Sequence, residues 1–220
     1  MNIIDWEGHT FRISNVTAEV VDLDGEQVLK VERDLASIPF DEANLAHSVD
    51  EPTYVSITDL DMGGGIVEVK VRSRIQRPLA FASPQGFIGM VFRVGSDDRA
   101  FESIYLRPNV GRSRDQLARN HAVQYFAYPD YKFTRLREEA NGRYETWADI
   151  GLDEWITMRI EFDGREAVLY LNDHPRPAFL VKPLLGSTKS GSIGLYVDIG
   201  TIGYFKDLRL LRITRAAGTV

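Results

Sequence analysis

The chain contains no cysteine. That excludes disulfides, thiolate-bound metal and a cysteine nucleophile, and it fits a reducing compartment. No apolar run approaches the ~20 residues needed to cross a bilayer. Asp5 and Glu7 interrupt the opening stretch MNIIDWEGHTF, which also lacks a basic segment followed by an apolar one. It therefore reads as carrying no signal peptide. The expected location is cytoplasmic, with a secreted or periplasmic one following only where a leader has been removed. The stretch MGGGI lacks G-x-G-x-x-G spacing, and neither G-x-S-x-G, H-E-x-x-H nor an EF-hand loop occurs. A dinucleotide-binding turn, a hydrolase elbow and a zincin helix are thereby excluded. There is no internal repeat, low-complexity tract or linker, so the 220 residues are read as one domain, 1–220.

Against these absences stands one concentrated feature. Between Arg107 and Arg137 seven basic residues face two acidic ones, a net of +5 inside a chain of net −6, which leaves −11 for the remainder. A negative body with one positive island argues against nonspecific nucleic-acid binding, which needs a broad basic face. The island also interleaves Asn109, Gln116, Asn120, His121 and Gln124 with aromatic residues. Flat rings with amides and guanidinium groups suit the apolar faces and the hydroxyls of a sugar. The bland alternative is that the arginines pair with the acidic body in surface salt bridges of little individual worth.

The rest of the sequence is punctuated into short strands. EVVDLDGEQVLKVER is two alternating runs joined at Asp24-Gly25, a strong hairpin signal. In MGGGIVEVKVRSRI, Val67, Val69 and Val71 alternate with Glu68, Lys70 and Arg72. GFIGMVFRV, FESIYLRP, EWITMRIEF, EAVLYLN, GSIGLYVDI and GYFKDLRLLRI follow. Only 39–49 and 112–122 suit short helices, the second with Ser113 as N-cap and Gln116 as its capping-box partner. The expected fold is an all-β, two-sheet antiparallel sandwich or jelly roll with one or two short helices.

Trp155, the turn at Gly164, Leu169 to Asn172, Gly191 to Leu195, and Phe205 to Leu208 resemble the C-terminal half of concanavalin A-like, laminin-G-like jelly rolls. The early run GGGIVEVKVRSR fits the same family, and the likeness spans roughly residues 60 to 212. The resemblance implies a jelly roll with ligands lying across a concave sheet face. It leaves function open, because this fold serves lectins, glycosidases and adhesion modules alike. Glycosidases of this fold commonly carry E-x-D-x-E on one strand, which is absent here. The family's rim calcium would fall on Asp97, Asp98 or Asp198, although aspartates beside glycine are usually turn formers. No other cofactor is expected.

Alternation in FESIYLRP puts Phe101, Ser103, Tyr105 and Arg107 on one face and Glu102, Ile104 and Leu106 on the other. The Ile/Leu face should be core, which directs Tyr105 and Arg107 to solvent or the groove. Gln124, Phe126 and Tyr128 likewise alternate with Val123, Tyr125 and Ala127. The expected ligand contacts are Arg107, Asn120, His121, Gln124 and Tyr128, supported by Tyr105, Asp115 and Arg119. The catalytic candidates are Glu102, read as a strand-end residue or a buried carboxylate with a raised pKa, and His121 as base or donor. The expected ligand is an oligosaccharide or other polyhydroxylated molecule. Unneutralised arginines would favour an anionic one such as a uronate, whereas pairing with Glu102, Glu138, Glu139 and Glu145 would leave the groove neutral. The other readings are a protein-interaction module docking an acidic partner, and a glycoside hydrolase or lyase using Glu102 or His121. Trp6, Trp147 and Trp155 read as core or edge anchors, with only Trp147 near the island in sequence.

Overall fold

Alternation of apolar and polar side chains closes the chain into two antiparallel sheets, seen in a computed structural model that describes residues 2–211. The strands are β1 (Ile3–Trp6), β2 (His9–Ser14), β3 (Val16–Leu23), β4 (Glu26–Arg33), β5 (Tyr54–Ile57), β6 (Gly65–Ile75), β7 (Ile88–Val94) and β8 (Phe101–Leu106). They continue as β9 (Val123–Tyr128), β10 (Glu145–Thr146), β11 (Ile156–Asp163), β12 (Glu166–Leu171), β13 (Phe179–Val181), β14 (Ser192–Val197) and β15 (Thr201–Leu211). One sheet has eight strands in the order β1-β2-β5-β14-β7-β8-β9-β10, and the other has seven in the order β13-β12-β11-β6-β15-β4-β3. This is the all-β jelly-roll sandwich. The last two residues of the expected strand over 203–213 lie outside the described residues.

Local chemistry explains the elements. Asp24 and Gly25 both take positive φ (58° and 84°), the type I′ turn geometry that joins β3 to β4. Along β6, Val67, Val69 and Val71 are buried while Glu68, Lys70 and Arg72 are half-buried on the other face. The inner faces meet in a core that includes Val67, Ile160 and Phe162 from one sheet and Met90, Phe92 and Ile193 from the other, with the Phe92 and Phe162 rings 4.9 Å apart.

The middle of the eight-stranded sheet is unusual in being buried on both faces. Every residue of β7 and β8 is buried. Loop segments and three short helices, α1 (Pro108–Gly111), α2 (Gln116–Asn120) and α3 (Phe133–Ala140), supply cover from outside. Gly89 pairs with Tyr105 across the β7–β8 ladder, and a Cβ there would lie 2.5 Å from the Tyr105 Cα. No larger residue fits beneath that tyrosine.

The helices differ from the expectation in detail. The stretch 39–49 holds only a 3-10 turn, Leu45–His47. In α2 the N-cap is Asp115 rather than Ser113: its carboxylate accepts from Leu117 N at 2.9 Å and Ala118 N at 3.4 Å. A charged acceptor two residues closer to the free amides outcompetes the serine hydroxyl, which instead accepts from Asp115 N. Gln116 bonds Asn120 at 2.7 Å and makes no capping box. Helices α1 and α3 were not anticipated; Pro108 at the start of α1 and the Arg135–Glu139 pair in α3 are their sequence marks. Among the described residues no helix is long and apolar enough to cross a membrane.

Candidate functional site

The alternation of β8 and β9 decides which side chains can meet a ligand. Ile104 pairs with Met90 and Tyr125 and faces the core, so Tyr105, paired with Gly89 and Gln124, faces outward. Over that outward face lies a cavity of about 310 Å³. Its floor includes Tyr105 and Arg107, and its walls carry Phe40, Phe81, Phe87 and Phe133 from three separate segments. His121, Arg137, Asp50 and Asp198, with Ser83 and Gln85, supply the rest of the polar lining.

Two ion-pair clusters hold these walls. In the first, Arg33 Nη1 donates to Asp198 Oδ1 at 2.6 Å and to Ser48 O at 2.6 Å, while its Nη2 reaches Ile38 O and Pro39 O at 3.2 and 3.1 Å. Arg33 thus clips the loop carrying Phe40 and Asp50 onto the sheet. Asp198 also accepts from Tyr196 Oη at 2.8 Å, Ile199 N at 2.7 Å and Asp50 N at 3.0 Å. In the second, Glu145 receives Arg137 through Nε and Nη2, both at 2.8 Å, and binds His121 Nδ1. Arg107 stands 3.6 Å from the same carboxylate and donates to Tyr105 Oη at 2.6 Å, Gln124 Oε1 at 3.0 Å and His121 O at 3.0 Å.

The titratable groups respond to this setting. Burial pushes the Asp50 carboxyl up to about 6, partly offset by its hydrogen bond from Phe133 N, with the Asp198 charge pushing the same way as burial. Burial also holds the Tyr105 hydroxyl protonated, well above the ordinary phenol range. His121 is lowered by burial and by the Arg137 charge, against the opposite pull of Glu145. Burial opposes ionisation of Glu145, but the Arg137, Arg107 and His121 contacts together keep it below the usual carboxylate range.

Of the residues expected at the ligand, Tyr105, Arg107 and His121 line the cavity, and Gln124 stands directly behind Arg107. Asp115 caps α2, Asn120 bonds Gln116, and Arg119 stacks 5.0 Å over the Trp147 ring, so none of these three is a cavity-lining residue. Tyr128 stacks on Phe101 at 5.0 Å, also away from the cavity. Of the two readings of Glu102, the structure matches the buried carboxylate. It points inward, fully buried, paired with Arg93 at 3.2 Å and bonded by Tyr125 Oη and Gly186 N. The same alternation that turns Tyr105 outward turns Glu102 away.

Five of the island's seven basic residues are ion-paired, while Arg114 and Arg119 form no ion pair among the described residues. Arg112 pairs with Asp149 and Glu154, Lys132 with Glu51, Arg135 with Glu139, and Arg107 and Arg137 share Glu145. The aspartates considered for calcium are otherwise engaged: Asp97 with Arg99, Asp98 with Arg12, Ser14 and Tyr54, and Asp198 with Arg33. Among the described residues no three His, Cys, Asp or Glu side chains form a metal-binding group. Sequence reasoning missed Asp50, Gln85 and the four phenylalanines of the walls. Asp50, Gln85, Phe40 and Phe81 sit in loops without periodicity, Phe87 immediately precedes β7 and Phe133 opens α3, and nothing local marks any of them as a neighbour of Tyr105. Arg137 lies inside the island but was not singled out as a contact.

No protein-family model matches the chain, and no curated protein sequence matches it. Among solved structures, the carbohydrate-binding module CBM66 from Bacillus subtilis superposes with a TM-score of 0.54 at 12% identity, covering 90% of this chain and 96% of that one. A Bacillus subtilis protein of unknown function with a galectin-like fold gives 0.48 at 11% identity, covering 92% and 90%. A Bacillus licheniformis β-glucanase gives 0.46 at 10% identity, covering 97% and 92%. The chain is thus a two-sheet jelly-roll sandwich whose fold it shares with a carbohydrate-binding module.

Proposed function

We propose that this protein binds carbohydrate, taking one neutral, polyhydroxylated sugar residue into the cavity above Tyr105. The observation that carries the reading is the combination of aromatic walls with unspent hydrogen-bonding groups and balanced charge. Phe87, Phe133 and Tyr105 offer apolar surface for a sugar ring. Gln85 Oε1 is buried without a partner, and Arg137 Nη1 makes no bond among the described residues. Buried polar groups are normally satisfied, so unspent ones at a cavity call for a ligand. The volume lies at the lower end of the roughly 300–1,000 Å³ usual for small-molecule sites.

Arg33, Arg107 and Arg137 stand against Asp198, Glu145 and, above its pKa of about 6, Asp50, so near neutral pH the cavity holds little free positive charge. This favours a neutral sugar over a uronate, and it weakens the reading of a module docking an acidic partner. The laminin-G-like form of the resemblance belongs to the same proposal, supported by the β11–β12 hairpin at Gly164 and the β14–β15 return. The fold shared with a protein named as a carbohydrate-binding module is consistent with it.

Ala118, half-buried on α2, lines the cavity, and its methyl side chain takes part in neither ion-pair cluster. Ala118→Phe should fill the space without unfolding the protein. In a thermal-shift screen of neutral oligosaccharides, the wild type should be stabilised by at least one sugar and Ala118→Phe by none. A sugar that stabilises both proteins equally would place binding elsewhere.

A further inference from the structure

We infer that the cavity also cleaves a glycosidic bond, with Asp50 as the proton donor and His121, oriented by Glu145, as the base that activates water. The inference rests on the sugar-binding reading above.

A census of free positions singles out these two groups. Asp198 has two donors on each oxygen: Arg33 Nη1 and Ile199 N on Oδ1, Asp50 N and Tyr196 Oη on Oδ2. Glu145 is occupied on both oxygens by Arg137, with His121 sharing Oε2. Neither carboxylate has room for a substrate. Asp50 accepts only Phe133 N, through Oδ2 at 2.7 Å, and its Oδ1 accepts nothing among the described residues. It is the cavity's one available acid.

His121 is held in the manner of a general base. Glu145 engages Nδ1, which fixes the tautomer with Nε2 bare, and a base oriented by a third group is the recurring arrangement for drawing a proton. The charged groups facing it are Glu145, Arg137 and Arg107; burial and the two arginines favour the neutral ring. Asp50 is faced by Asp198, Arg107 and Lys132, and burial with the Asp198 charge favours its protonated form. The two environments push an acid up and a base down, which is how acid and base roles are separated in one site. A site that only bound a sugar would gain nothing from burying an ionisable acid where an asparagine could both donate and accept.

The step balances. Asp50 gives its proton to the glycosidic oxygen as the bond from that oxygen to the anomeric carbon breaks. A water oxygen bonds to the same carbon from the opposite face while His121 Nε2 takes its proton. Asp50 leaves the step ionised and His121 protonated, and one proton transfer through solvent restores both. A single displacement inverts the anomeric configuration.

The test begins with neutral oligosaccharides of differing linkage, titrated calorimetrically onto the wild type. Those that bind are then assayed for reducing-end release and for the configuration of the new anomer by proton NMR. Release with inversion is expected, following a bell-shaped pH profile. Asp50→Asn and His121→Gln should each lower the rate by roughly 10²–10⁴-fold, the usual contribution of general acid–base groups. Their dissociation constants should stay within about threefold of wild type, because both variants keep polar groups at the ligand. Sugars that bind and are not cleaved, or cleavage undiminished in Asp50→Asn, would overturn this inference alone. No binding by any sugar would remove the cavity reading and this step with it.

Discussion

Replacing Arg33 with methionine should destabilise the protein by about 3–5 kcal/mol, the usual cost of removing one partner from a buried ion pair. The Arg33 and Asp198 side chains are 1% and 3% exposed, so the carboxylate left behind could not recover its loss in water. The variant also frees the carbonyls of Ile38, Pro39 and Ser48, which Arg33 ties to β4. The loop they hold carries Phe40 and Asp50, so sugar binding should be lost together with stability. Arg33→Met combined with Asp198→Asn should recover part of the stability, because removing both charges avoids the unpaired one. The loop would remain unclipped, and binding should not return. Urea unfolding of the two variants, with calorimetry on each, checks this. A single variant as stable as wild type, or a double variant that binds normally, would contradict the clamp.

The second large effect runs the other way. Asp50→Asn should stabilise the protein at pH 8 and leave it little changed at pH 3. The folded chain binds the Asp50 proton more tightly than the unfolded chain, with a pKa of about 6 against 3.8. The associated stability is fully present below pH ~3.8 and is lost as the pH rises through about 6, a loss on the order of 3 kcal/mol above both values. An asparagine is neutral throughout and can still accept from Phe133 N. It also suits the backbone here, since residue 50 has φ of 55°, a left-handed conformation in which asparagine is enriched. Denaturant midpoints from pH 4 to pH 8 should therefore fall more steeply for wild type than for the variant. Parallel curves would show that Asp50 ionises normally in the folded chain. A side chain that costs stability at neutral pH, and whose neutral isostere would not, matches the trade between stability and chemistry at functional sites.

The sequence carried much of the fold because the relevant signals are local. Period-2 alternation in β6, β8 and β9 fixed which face each residue takes, and so placed Tyr105 and Arg107 outward and Glu102 inward. Asp24-Gly25 specified its own turn. The site was only partly legible because its contacts join distant segments. Arg33 meets Asp198 across 165 positions, Asp50 meets Asp198 across 148, and Phe133 meets Asp50 across 83. The island looked like free positive charge for the same reason. Lys132 finds Glu51 and Arg112 finds Glu154, 81 and 42 positions away, and no local pattern announces either pair. Only Arg135–Glu139 follows the helical spacing that a sequence can show.

The pairing of those arginines makes the sign of the ligand the sharpest question. A calorimetric titration of the wild type with matched neutral and uronic oligosaccharides, at about 10 mM and about 150 mM salt, spans the range over which exposed charges become screened. At pH 7, with Arg33, Arg107 and Arg137 set against Asp198, Glu145 and ionised Asp50, the neutral sugar should bind at least as tightly as the uronic one. Its affinity should be the same at both salt concentrations. A preference of tenfold or more for the uronic sugar, collapsing as salt is raised, would contradict the account.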